Sequence, residues 1–142
     1  MGIHFSFIGL VVTDMGRSLD FYRRLGVPIP ENSDAEPHVE AALPGGLRLG
    51  WDTIETVRTF DPEWSQPTGS HRVALAFDCE SPAGVDAAFA DMVGAGFSAH
   101  VAPWDAFWGQ RYATLLDPDG NSVDLFAALE SATDSGASGT TM

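Results

Sequence analysis

One order of signals, strand then cap then helix then glycine, occurs twice in this chain, and that repetition constrains the fold more than any single motif. The first copy opens on the apolar run Phe5 to Val12. Asp14 follows as a helix N-cap, since its carboxylate can accept from an N–H of the first turn that lacks an intrahelical partner. Met15, Leu19 and Tyr22 then recur at i, i+4 and i+7, one face of a helix. Gly26 suits the residue just past the helix, and Pro28 prevents its continuation. The second copy opens on Val73 to Phe77. Ser81 is the N-cap, Pro82 fits the first helical position, and Val85, Phe89 and Met92 form the apolar face. Ala95-Gly96 closes it.

Strand-like segments follow each helix. In the first copy they are His38 to Leu43 and Leu47 to Asp52, joined by the turn Pro44-Gly45-Gly46. In the second copy they are Phe97 to Ala102, Gln110 to Leu116 and Ser122 to Phe126, the last two joined by Asp117-Pro118-Asp119-Gly120. The whole reads as two βαβββ modules, about 3–60 and 70–128, within one domain over 1–128. Residues 53–69, with Pro62 and Pro67, form the linker. The tail 129–142 holds few large apolar side chains and is expected to be flexible, because it cannot bury enough surface to offset its chain entropy.

The 142 residues suffice for one compact domain with a buried core. No apolar run reaches the roughly 18 to 20 residues that span a bilayer, and no basic region leads into an apolar segment at the N-terminus. The single cysteine, Cys79, excludes an intrachain disulfide and a cysteine-rich zinc site. A cytoplasmic location is therefore expected. The net charge of -13 argues against nucleic acid, whose phosphates need clustered Lys and Arg. The same charge suits a cationic small molecule, whose approach a negative field speeds.

Gly9-Leu10-Val11-Val12-Thr13-Asp14 followed by Arg17-Ser18-Leu19-Asp20-Phe21-Tyr22 resembles the opening of a vicinal oxygen chelate protein. Asp117-Pro118-Asp119-Gly120-Asn121-Ser122-Val123-Asp124-Leu125-Phe126 resembles the closing hairpin of the same group, which includes glyoxalases, extradiol dioxygenases and bleomycin-resistance proteins. The resemblance spans residues 3–128. It implies an α+β fold in which two paired βαβββ modules form a cupped eight-stranded mixed sheet with a cavity and the helices outside. It also implies a homodimer. Chemistry is not implied, because this group hosts several reactions and some pure binders.

Metal-dependent members of the group hold a divalent ion with His, Gln and Glu side chains on cavity-facing strand positions. The corresponding positions here are Phe7, Arg48 or Gly50, Arg72 and Asp124. One carboxylate among these is short of the three or four convergent donors that a metal needs. No metal or other cofactor is expected on this count. The alternative set His71, Asp52 and Asp124 would make the chain a metal-dependent glyoxalase-like lyase, isomerase or dioxygenase.

Aromatic residues then become the main clue. All four tryptophans lie between residues 51 and 108, and Trp104 and Trp108 stand in the segment before Gln110. Tryptophan area favours burial, so a cluster in a loop points to a partner surface. The segment 103–111 resembles the loop bordering the ligand groove in the drug-binding relatives. Strand alternation from Asp124 would turn Phe5, Phe7, Arg72, Gln110, Tyr112 and Thr114 into the cavity. Together with Trp51, Trp104, Phe107, Trp108 and Asp124, these are the expected ligand-binding residues. The expected role is non-catalytic binding and sequestration of an aromatic or cationic natural product, of the bleomycin-resistance type. No catalytic residue is expected.

Overall fold

The computed structural model describes residues 2–129. The expectation for the tail therefore lies, except for Leu129, outside the described residues. The chain divides into two compact units, 1–69 and 70–142.

In the first unit, strand β1 (Phe7–Val12) leads through the Asp14 cap into helix α1 (Met15–Arg24). Asp14 Oδ1 accepts from the backbone N–H of Arg17 at 3.1 Å. Gly26 stands at φ 96°, a left-handed conformation that glycine adopts without a Cβ clash. Strands β2 (His38–Ala42) and β3 (Arg48–Thr53) form an antiparallel hairpin around a 3-10 turn at Pro44–Gly46, and β1 pairs parallel with β3. The three-stranded order is β1-β3-β2.

One face of this sheet carries Ile8, Leu10 and Val12 beside Leu49 and Trp51. Helix α1 packs on β3, and Leu19, Phe21, Tyr22 and Trp51 are fully buried. Trp51 lies 5.8 Å from the Tyr22 ring. The other face carries Phe7, Gly9 and Val11 with Arg48, Gly50 and Asp52, and with His38 and Glu40 from β2.

No fourth strand of the first module is formed among the described residues, and the stretch after β3, expected as linker over 53–69, does not open as irregular chain. Helix α2 (Ile54–Arg58) stands there instead. The Thr53 hydroxyl accepts from the backbone N–H of Thr56, Glu55 lies in the first turn and Arg58 in the last, all of which favour helix over strand.

In the second unit, β4 (Ala74–Asp78) leads through the Ser81 cap into α3 (Pro82–Gly94), followed by β5 (Ser98–Ala106), β6 (Gln110–Leu116) and β7 (Ser122–Ala128). The order is β4-β7-β6-β5, with β4 parallel to β7 and the other pairs antiparallel. Helix α3 packs on β5, β6 and β7. Val85 and Met92 from the helix and Ala113, Leu115, Val123 and Leu125 from the sheet are fully buried. The described residues thus form seven strands in two sheets, an α+β arrangement, where eight strands in one sheet were expected. No helix of the described residues is long and apolar enough to cross a membrane.

Candidate ligand-binding face

The closing turn sets the register on which the site depends. Asp117 Oδ1 accepts from the backbone N–H groups of Asp119 and Asn121, both at 2.9 Å, and its Oδ2 accepts from the Asn121 side chain at 2.9 Å. Gly120 takes φ 85°. This turn pairs Leu116 with Ser122 and therefore Thr114 with Asp124 and Tyr112 with Phe126. Side chains alternate across a sheet. Val123, Leu125 and Ala127 point to α3 and are buried, so Ser122, Asp124 and Phe126 share the opposite, open face. Gln110, Tyr112 and Thr114 of β6 stand on that face, as do Ala74, Ala76 and Asp78 of β4, which are exposed.

Asp124 is the polar centre of this face. The Tyr112 hydroxyl donates to Asp124 Oδ2 at 2.5 Å, and the Thr114 hydroxyl donates to Oδ1 at 3.0 Å. Hydrogen bonds to a carboxylate are stronger than neutral ones. The ion pairs found among the described residues use other carboxylates. The hydrogen-bond partners of Asp124 among the described residues are the hydroxyls of Tyr112, Thr114 and Ser122. Burial pushes the Tyr112 phenol well above its ordinary value, and the neighbouring Asp124 adds to that shift.

The aromatic wall stands beside it. Trp108 makes edge-to-face contacts with three rings: Phe107 at 4.9 Å, Tyr112 at 5.2 Å and Trp104 at 5.5 Å between centroids. Such pairs contribute about 0.5–1.5 kcal/mol each beyond their area burial. The Trp108 indole N–H donates to Gln110 Oε1 at 2.8 Å, and Gln110 is buried. Trp104, Phe107 and Trp108 all remain exposed to solvent. Gly109, at φ 94°, closes the β5–β6 hairpin that carries Phe107 and Trp108.

Trp104 is a residue of β5 rather than of a loop. It stands on the open face opposite Tyr112, two residues back from Ala106 opposite Gln110, and a register shift separates it from Val101. Val101 is opposite Thr114 and Trp104 is opposite Tyr112, so three residues on β5 span two on β6. A second shift, between Ala99 and Val101, offsets this one in parity, so Trp104 keeps the face that alternation from either end of β5 gives it.

Six of the expected ligand residues, Trp104, Phe107, Trp108, Gln110, Tyr112 and Asp124, thus form one connected group in the second unit, and Thr114 joins it through Asp124. The remaining four do not belong to it. Trp51 is corrected: it is fully buried against Tyr22 on the helix side of the first sheet, where no ligand reaches it. Phe5 precedes β1, so strand parity does not direct it, and it is 75% exposed. Arg72 precedes β4 and is exposed; it makes no ion pair with Asp124. Phe7 is on the open face of the first sheet as expected, and its ring covers Gly50, where an added Cβ would meet Phe7 Cζ at 2.2 Å.

That placement tests the metal centre that the resemblance raises. The positions corresponding to ligands hold a phenyl ring lying over a glycine, an arginine outside any strand, and an aspartate already engaged by two hydroxyls. His71 also precedes β4 and is exposed, and Asp52 is engaged by His38. No group of three or more His, Cys, Asp or Glu among the described residues could hold a metal ion. The donor set does not fit a divalent ion.

Sequence reasoning missed a second polar group, on the open face of the first sheet. His38 lies between two carboxylates, with Nδ1 2.5 Å from Asp52 Oδ1 and Nε2 2.7 Å from Glu40 Oε2. Arg48 Nε donates to Glu40 Oε1 at 2.5 Å. The signal was present: a hairpin turning at Pro44-Gly45-Gly46 places His38 opposite Asp52.

The family model described as the Glyoxalase/Bleomycin resistance protein/Dioxygenase superfamily matches residues 4–125. Among solved structures, the chain is similar to a glyoxalase/bleomycin resistance protein/dioxygenase family enzyme from Burkholderia phytofirmans PsJN. That match has 21% identity and a TM-score of 0.75, and covers 87% of this chain and 98% of that one. A glyoxalase/bleomycin resistance protein/dioxygenase from Nocardioides matches at 21% identity and a TM-score of 0.73, covering 100% and 91%. A protein from Agrobacterium tumefaciens, solved in solution by NMR, matches at 29% identity and a TM-score of 0.68, covering 89% and 98%. No curated protein matches the chain.

Proposed function

The chain belongs to the glyoxalase/bleomycin resistance protein/dioxygenase superfamily, and within it we propose that this member is a non-catalytic binding protein that sequesters an aromatic, cationic natural product such as an antibiotic. The observation that carries this reading is the wall of Trp104, Phe107, Trp108 and Tyr112 beside the Asp124 carboxylate. Flat rings stack on such a wall, and a protonated amine finds a carboxylate that has no cationic partner among the described residues. Ala74 and Ala76, exposed on the same face, leave room for a bulky planar group. Small-molecule sites combine apolar and aromatic lining with a few polar groups in this way. The acidic net charge favours approach of a cation. The protein would act as a cytoplasmic homodimer with one ligand per subunit.

The test is tryptophan-fluorescence titration of chelator-treated protein with bleomycin-type glycopeptides, mitomycins, quinoxaline peptides and anthraquinones. Saturable quenching near one ligand per subunit, indifferent to chelator, is the expected result. Trp108→Ala should weaken that binding by about 2 kcal/mol or more, as for an aromatic hot spot. A response that appears only after a divalent ion is added would favour the metal-dependent lyase, isomerase or dioxygenase instead.

A further inference from the structure

The two units share one plan, and among the described residues the first has one strand fewer. Strands β1, β3 and β2 correspond in order and direction to β4, β7 and β6: a parallel pair, then an antiparallel hairpin. In the second unit β6 carries a further strand, β5, which follows helix α3. In the first unit the chain after α1, residues 25–37, forms no strand. Pro28, Pro30 and Pro37 offer no N–H to a ladder. Asn32 takes φ 60°, outside the strand region. Arg23 of α1 holds the segment, donating to Asp34 Oδ1 at 2.9 Å and to the Pro30 carbonyl at 3.1 Å. The buried Ser33 hydroxyl donates to that same carbonyl at 2.7 Å.

Strand β2 therefore ends its sheet with one edge unpaired. The Thr53 N–H donates to the Pro37 carbonyl at 3.1 Å, and the Leu43 N–H donates to the Leu47 carbonyl at 2.8 Å. Bonded pairs alternate with non-bonded ones along an antiparallel ladder. Val39 and Ala41 thus bond to β3, and His38, Glu40 and Ala42 turn their N–H and C=O groups away from it. No backbone hydrogen bond among the described residues is made by those outward groups. Natural end strands are protected by bulges, proline or lysine. Strand β5 has two register shifts and Pro103. Strand β2 pairs without a shift and contains neither proline nor lysine.

Charge selects what can pair there. Residues 31–40, which lead into and through β2, contain Glu31, Asp34, Glu36 and Glu40 and no Lys or Arg. Glu40 accepts from Arg48, yet its side chain is still 32% exposed. Antiparallel pairing of β2 with a second β2, in the register that uses all three outward residues, sets Glu40 against Glu40. Like charges directly opposite are destabilising, and each chain carries a net charge of -13. A strand with Lys or Arg opposite Glu40 gives the reverse: directly opposed residues share a face, with their Cβ atoms about 5 Å apart.

We propose that the outer edge of β2 binds an extended segment of another protein that carries Lys or Arg at alternate positions, adding it to the first sheet as a fourth strand. His38, Glu40 and Ala42 supply the backbone bonds, and the basic side chain opposite Glu40 sets the register. Val39 and Ala41 are 4% and 2% exposed. They are already covered, so backbone bonds and charge carry the contact rather than apolar burial. A contact of this size belongs with weak, exchanging interfaces.

The experiment follows the full chain by NMR and amide hydrogen exchange, with a short blocked peptide that alternates lysine with valine as the probe. In the free protein the amides of His38, Glu40 and Ala42 should exchange rapidly and those of Val39, Ala41 and Leu43 slowly. The peptide should slow the first three several-fold and shift their resonances saturably. A peptide with glutamate for lysine should do neither, nor should one N-methylated at the amides that face β2. Glu40→Gln should weaken binding of the lysine peptide several-fold. Ala42→Pro removes one outward N–H and no bond to β3, so it should lower affinity while the Val39 and Ala41 amides stay protected. If Ala42→Pro does not fold, the N-methylated peptide makes the same cut from the other side. No response to the lysine peptide would overturn the proposal, as would equal binding of the glutamate or N-methylated peptide. Slow exchange of the three amides without peptide would overturn it too: a dependence on protein concentration would place a second copy on the edge, and release on removing residues 130–142 would place that segment there. No readout involves an aromatic ligand, so the outcome is independent of the titration with antibiotics.

Discussion

Tyr112 and Asp124, twelve residues apart, meet on the open face of the second sheet, the phenol donating to the carboxylate at 2.5 Å. They are not direct cross-strand partners: Tyr112 is paired with Phe126 and Asp124 with Thr114. The contact is diagonal, within reach of a long aromatic side chain. It links the aromatic wall, which Tyr112 joins through Trp108, to the Asp124 carboxylate, so changes at either residue are felt at both.

The phenol of Tyr112 should resist ionisation. Burial and the Asp124 charge both disfavour a phenolate. In the unfolded chain Tyr112 ionises near 10. Its contribution to stability is therefore complete below that pH and is lost as pH rises through the higher folded value. Absorbance at the phenolate band should remain low in the folded protein above pH 10 and rise with alkaline unfolding. Tyr112→Phe should remove that pH dependence of stability. Early phenolate formation assigned to Tyr112 would contradict the hydrogen bond.

Asp124→Asn should separate charge from shape. The amide keeps one acceptor oxygen but places an NH2 where a hydroxyl donates. A stability loss of about 1–2 kcal/mol is expected from one compromised hydrogen bond. Binding of cationic aromatic ligands should fall by more than binding of neutral ones of similar size, measured by fluorescence titration of both variants. Equal losses for the two ligand types would remove Asp124 as the cation partner.

Trp51 and Trp108 should behave oppositely. Trp51→Ala is expected to cost about 3–5 kcal/mol in denaturant unfolding, as for a fully buried aromatic. Trp51→Phe should cost considerably less, because the indole N–H of Trp51 is buried without a partner and phenylalanine has no such donor. Trp108→Ala should destabilise by less than Trp51→Ala, because Trp108 is 41% exposed, but should weaken ligand binding. A ligand-binding defect in stably folded Trp51→Phe equal to that of Trp108→Ala would require a different site.

Added Zn, Ni, Mn or Fe should leave the Tm unchanged. A ligand that binds only the folded state raises stability by about 2.7 kcal/mol at one hundred times its Kd. A saturable rise in Tm with any of these ions, abolished by Asp124→Ala, would identify a metal centre that the donor geometry does not provide.

The local signals in the chain were sufficient for the two helices with their caps, the Gly26 and Gly96 helix ends, the hairpin turns and the succession of strands named in each module. Each depends on residues adjacent in sequence: Asp14 reaches the Arg17 N–H and Asp117 reaches Asn121, and alternation then orients Tyr112, Thr114 and Asp124. The segment after β3 escaped that reading because Thr53 caps a helix where Pro62 and Pro67 pointed to a linker. Three further outcomes needed tertiary structure. Trp51 is core because α1 covers its face of the sheet, and alternation alone does not say which face a helix covers. Trp104 joins the aromatic wall because β5 extends to Ala106, opposite Gln110 on β6, where the sequence reading ended the strand at Ala102. His38 acquires two carboxylates because β2 and β3 pair in one register among several, and its charge is then decided by neighbours up to fourteen residues away rather than by its own flanking sequence.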